Sequence, residues 1–84
     1  VLRARGLAER LKREATEEPQ RTALAYRLLF SREPSADETT ATTAFLDNQT
    51  KEYERQSEEP APRDRAWQDL CQALLSSNEF LYVE

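Results

Sequence analysis

Four prolines, at positions 19, 34, 60 and 62, limit what this chain can form. A proline ring has no amide hydrogen and clashes with a helix that runs through it. The stretches between them carry apolar residues at helical spacing rather than in strand-like alternation. In the first, Ala4, Leu7, Ala8, Leu11 and Ala15 fall at i, i+3, i+4, i+7 and i+11, one face of a helix over about 2–15. Gly6 interrupts it at a cost of about 1 kcal/mol relative to alanine. Pro19 sits where proline is tolerated, in the first turn of a second helix over about 20–31. There Leu24 with Leu28, and Ala25 with Leu29, make an apolar stripe that Tyr26 and Phe30 widen. A face that wide is expected of a central helix.

The segment SREPSADE is the sharpest local signal. Pro34 stops one helix, Ser35 is a good N-cap for the next, and Glu38 stands three residues on, so the pattern reads as a capping box. Asp37 adds negative charge in the first turn, where the helix dipole favours it. A third helix follows over about 36–55. Its threonines are indifferent helix formers, so Phe45 and Leu46 must hold it by packing. QSEEPAPRD is a charged, proline-broken loop. The fourth helix, about 64–77, carries Trp67, Leu70, Cys71 and Leu74 as a stripe, with Leu75 broadening it for two partners. Ser76, Ser77 and Asn78 offer a stop, after which the apolar tail EFLYVE is expected to fold back on the core.

These elements predict a small all-α domain, four-helix bundle-like, with a C-terminal tail packed back. Residues 1–18 read as a basic amphipathic lead-in helix and 19–84 as the compact part, with helix 1 more loosely attached than helices 2–4. Eighty-four residues hold one core and no second domain. The chain has no isoleucine, two valines and one glycine, which argues against a β-sandwich. Hydrophobic residues at 38% and charged ones at 33% suit a helical bundle with a thin core.

Charge and residue inventory exclude several functions. Residues 1–13 hold five basic side chains against Glu9, so the lead-in is basic while the rest is strongly acidic and the whole is −4. That is not the broad basic footprint of a nucleic-acid binder, and no nucleic-acid partner is expected. With no histidine and a single cysteine, neither a metal site nor an internal disulfide is expected, and no cofactor motif is visible. No apolar run approaches the roughly 18–20 residues of a membrane span. The acid pairs Asp37/Glu38, Glu52/Glu54 and Glu58/Glu59 are adjacent only in sequence, and capping or a solvated face accounts for them, so no catalytic residue is assigned. The structural anchors are Trp67, Leu70, Cys71, Leu74, Phe80, Leu28 and Phe45. Cys71 and Trp67 sit on the helix 4 stripe, which favours burial over a reactive thiol or a stacking platform. Glu79, in an otherwise apolar tail, reads as an ion-pair or capping residue, with Arg27 or Arg32 as candidate partners, and the competing reading is a buried general acid with a raised pKa.

Two segments, AYRLLFSREPSADE and AWQDLCQALLSSNEFLYVE, carry a resemblance. The chain resembles the C-terminal part of a planctomycete-specific domain of unknown function, the later of two such paired domains, often with a cytochrome c-like module upstream. Trp67, Asp69, Leu70, Cys71, Ala73, Leu74 and Ser77 through Val83 match that family's terminal segment. Tyr26, Arg27, Arg32, Pro34 and Glu38 match its turn. The resemblance covers about residues 20–84. It implies a bacterial, exported parent protein of which this chain is the C-terminal piece, and it brings no catalytic residue. The haem chemistry of the upstream module does not transfer, because the chain lacks C-x-x-C-H.

The sequence therefore predicts a non-catalytic helical structural or interaction module. Its expected partner is the upstream part of its own parent or another protein. Two alternatives are one wall of a hydrolytic site completed by other residues, and a helix-turn-helix-like nucleic-acid binder on helices 2 and 3.

Overall fold

The computed structural model describes residues 2–56 and 58–83, with side chains described over 3–56 and 58–77. Four helices follow in order: α1 (Leu2–Glu14), α2 (Glu18–Phe30), α3 (Ala36–Arg55) and α4 (Pro62–Val83). There is no strand among the described residues, and the chain is a small all-α, bundle-like domain. Helix α2 starts two residues before the expected position, because Pro19 fits the first helical turn and Glu18 precedes it. Helix α4 begins at Pro62 for the same reason.

Helix α4 is the hub. It packs on α1, α2 and α3, whereas α1 and α3 do not meet. Its buried residues Ala66, Trp67, Leu70, Cys71 and Leu75 recur at three- and four-residue intervals, so they share one broad face. That face has to serve partners on several sides, which explains its width.

The expectation of a loosely attached helix 1 is corrected here. Ala4, Ala8, Leu11 and Ala15 are all buried, and Leu11 is 0% exposed. Two of the three that lie within α1 are alanines, so the α1 backbone can lie close to α4 without a large side chain between them. The stripe is short of volume, not of contact.

Helix α2 is correspondingly less central than its sequence predicts. It buries Thr22, Ala25 and Tyr26 and packs Leu24 and Leu29, both half-buried, against the core, while Leu28 is exposed at 39%. Leu28 is therefore no anchor. Leu24–Leu28 and Ala25–Leu29 lie on neighbouring arcs of the helix, and the interior takes the second pair while only Leu24 of the first packs against it.

At the end of α2, Ser31 adopts a left-handed conformation (φ 59°) and its N–H donates to the Arg27 carbonyl at 3.1 Å. This is a C-terminal cap of the kind glycine usually provides. The expected stop at Ser76–Asn78 is absent, and α4 runs on as helix to Val83. Serine and asparagine permit a helix end without imposing one, and no proline or glycine follows them.

Candidate functional site

The polar side chains that matter most lie between helices. At the start of α4, Arg63 places Nε and Nη2 on the two carboxylate oxygens of Glu18, at 2.7 and 2.6 Å. This two-pronged fit is the strong geometry for a guanidinium. Its Nη1 reaches Asp47 Oδ1 at 3.1 Å and Thr50 Oγ1 at 2.9 Å on α3. Trp67 Nε1 donates to the same Glu18 at 3.1 Å, so the buried indole has a partner. One carboxylate on α2 thus gathers α4, and one guanidinium on α4 gathers α2 and α3. Hydrogen bonds from Arg63 hold the Glu18 carboxyl below its ordinary value, and Glu18 in turn raises Arg63.

Beside this junction Arg21 lies over the Trp67 ring at 5.9 Å. Its Nε donates to the Ala15 carbonyl at 2.7 Å and its Nη2 to the Thr16 carbonyl at 3.1 Å. Carbonyls at a helix C-terminus lack partners within the helix, so Arg21 caps α1 from α2.

A second junction joins α3 and α4. Asp69 accepts from Tyr53 Oη at 2.6 Å and from Gln49 Nε2 at 2.8 Å. The carboxylate holds the phenol in its neutral, donating form, and Tyr53 is raised above its ordinary value. Arg65 sits over the Tyr53 ring at 5.5 Å.

The α2–α3 joint holds the third set. Ser35 Oγ accepts the Glu38 N–H at 3.1 Å, and Glu38 Oε1 accepts the Ser35 N–H at 2.8 Å. Arg32 forks onto the same Glu38 at 2.7 and 2.8 Å and lies 5.6 Å from the centre of the Tyr26 ring. Arg32 and the Ser35 backbone together push the Glu38 carboxyl down to about 2.

The sequence-derived residues fall as follows. Trp67, Leu70 and Cys71 are buried in one cluster, with Leu74 and Phe45 packed partly against it. Burial pushes the Cys71 thiol up to about 12, which leaves it protonated and inert at neutral pH. The side chains of Phe80 and Glu79 lie outside the described residues. Among the described residues Arg32 pairs with Glu38 and Arg27 with Glu33 at 3.5 Å.

Of the acid pairs, Glu38 serves the cap, Glu52 pairs with Arg55, and Glu59 accepts the Ala61 N–H at 3.2 Å just before α4. Sequence reasoning missed Glu18 and Arg63. The available signal was Trp67 itself, because a tryptophan assigned to a core needs an acceptor for its N–H.

Two shallow clefts flank the α1–α4 seam. One, of about 150 Å³, is bordered by Glu9, Lys12, Arg21, Asp64 and Trp67. The other, of about 110 Å³, lies by Ala4, Arg65, Asp69 and Gln72. The first is crossed by the Lys12–Asp64 ion pair at 2.9 Å. Among the described residues no three His, Cys, Asp or Glu side chains come together to hold a metal ion. No helix among them is long and apolar enough to cross a membrane. No family model, curated protein or solved structure matches the chain.

Proposed function

We propose that the chain is a non-catalytic helical module ending a larger exported bacterial protein, where it presents helix faces to that protein's upstream domains or to a protein partner. One observation carries this reading: among the described residues the ionisable groups with shifted titration are held by other parts of the fold or, for Cys71, sealed in the core. Glu18 and Arg63 hold α2, α3 and α4 together, the Tyr53–Asp69 contact joins α3 to α4, and Glu38 is held by Arg32 and a cap. A catalytic acid or base needs its perturbed group turned towards a substrate. Here such groups are turned towards one another. The C-terminal resemblance supports the setting, as the end piece of a bacterial, exported parent.

Amide hydrogen exchange of the 84-residue chain, compared with the same residues inside the full-length parent, tests the reading. Slower exchange along the outer side of a helix in the parent is the expected result. Identical exchange in both would overturn docking on upstream domains. A turnover by the parent that is lost on replacing an exposed acid, with the fold intact, would overturn the non-catalytic assignment.

A further inference from the structure

The glycine at position 6 has no explanation inside the domain. It lies within α1, its φ is not positive, and a Cβ built on it meets nothing within 4 Å. Neither backbone conformation nor packing therefore requires glycine, although glycine weakens a helix interior. A position of this kind is suited to close approach by another molecule.

Its surroundings give that molecule a charge. Positions 3, 6, 10 and 13 recur at three- and four-residue intervals, so Arg3, Gly6, Arg10 and Arg13 share one stripe. All four are exposed, on the side away from Ala4, Ala8 and Leu11, and Arg10 is held only by an exposed pair with Glu14 at 2.7 Å, a contact weak enough to exchange. Helix α1 carries five basic residues against two acidic ones, which leaves seven basic and fourteen acidic in the remainder of the chain. The domain thus contains both a basic face and its acidic complement. Among the described residues Glu54, in the last turn of α3, and Glu58, in the link to α4, have no ion-pair or hydrogen-bond partner.

We propose that the outer face of α1 around Gly6 docks on a second copy of this chain, at the acidic end of α3 and its link to α4. A symmetric α1–α1 contact would place arginine against arginine. The contact is therefore head-to-tail, and each copy offers both halves. Gly6 lets the acidic segment lie close to the α1 backbone while the arginines flank it. A nucleic acid could use the arginines but gives no role to the glycine. This interface is separate from docking on a parent protein and stands or falls without it.

The test is sedimentation equilibrium of the 84-residue chain at rising concentration, at low salt and at about 0.5 M salt, where charges are screened beyond roughly 4 Å. Mass should rise with concentration at low salt and return to the monomer at high salt. Gly6→Leu, which has room within the monomer, should keep its circular dichroism and weaken association by roughly tenfold or more. A chain doubly substituted Arg10→Glu and Arg13→Glu, and another substituted Glu54→Lys and Glu58→Lys, should each be monomeric. Mixed, they should associate again, because one keeps the arginine face, the other keeps the acidic end, and the two reversed halves also complement each other. If the glutamate variant misfolds, Arg10→Gln with Arg13→Gln takes its place. A wild-type chain monomeric at low salt throughout, association indifferent to Gly6→Leu, or a mixture that stays monomeric overturns the proposal. So does salt-dependent binding of duplex DNA by a chain that remains monomeric.

Discussion

Replacing Glu18 removes the acceptor on which Arg63 and Trp67 converge, and the cost can be worked out contact by contact. The Arg63–Glu18 fork is about one-third exposed on both side chains, so screening limits it to the upper part of the range for surface pairs, about 0.5–1 kcal/mol. The Trp67 N–H belongs to a residue only 3% exposed, and leaving it without an acceptor costs about 1 kcal/mol or more. Glu18 also provides the acid in the first turn of α2, a favourable placement of roughly 0.3 kcal/mol or more. Glu18→Ala should therefore lose about 2–3 kcal/mol. Glu18→Gln can still accept from Trp67 and should lose only about 1 kcal/mol. A domain of this length has a total stability of roughly 4–12 kcal/mol, so the alanine variant should melt many degrees lower.

Urea unfolding followed by Trp67 fluorescence gives both values. The pH dependence supplies an independent sign. The folded carboxyl binds its proton less readily than its ordinary value of 4.5, so its contribution is complete above that value and disappears as pH falls through the lower folded value. Glu38 shifts in the same direction, so the difference between wild type and Glu18→Gln isolates Glu18. An alanine variant within about 0.5 kcal/mol of wild type would refute the convergence argument. So would a wild type and a glutamine variant with the same acid limb.

Other expectations follow from burial and backbone geometry. Leu46→Ala should cost about 2–5 kcal/mol, whereas Leu28→Ala should cost under about 1 kcal/mol, and equal midpoints in urea would contradict the placement of α2. Cys71 should resist iodoacetamide in the native protein and react on unfolding, and mass spectrometry showing prompt native labelling would rule out its burial. Ser31→Gly should raise stability by up to about 1 kcal/mol, since glycine adopts the left-handed cap without steric cost, and a lower melting temperature would contradict that cap.

The helices were legible because their signals are local. Pro19, Pro34 and Pro62 mark positions no helix interior accepts, Ser35 with Glu38 closes a cap within four residues, and the α4 stripe is visible as spacing. Where a local signal is merely permissive, reading failed. Ser76–Asn78 permits a stop, yet α4 continues. The α2 leucines permit two inward arcs, and nothing nearby selects between Leu28 and Leu29.

The polar junctions were illegible for a different reason. Glu18 and Arg63 are 45 residues apart, and a lone acid beside a proline looks the same whether solvated or forked onto an arginine. The rank of the helices was hidden likewise. An alanine stripe looks poor in burial until its neighbour's size is known, and only α4 with its tryptophan and leucines makes Ala4 and Ala8 the right fit.

Sequence by itself determined an all-α chain, its four helices and the capped turn between α2 and α3, because these depend on backbone sterics and on contacts a few residues apart. Tertiary structure alone decided that α4 is the hub, that α1 belongs to the core and Leu28 does not, and that Glu18 is where α2 and α4 meet. Those outcomes depend on which faces compete for one limited interior, and that competition is settled only when all four helices are in place.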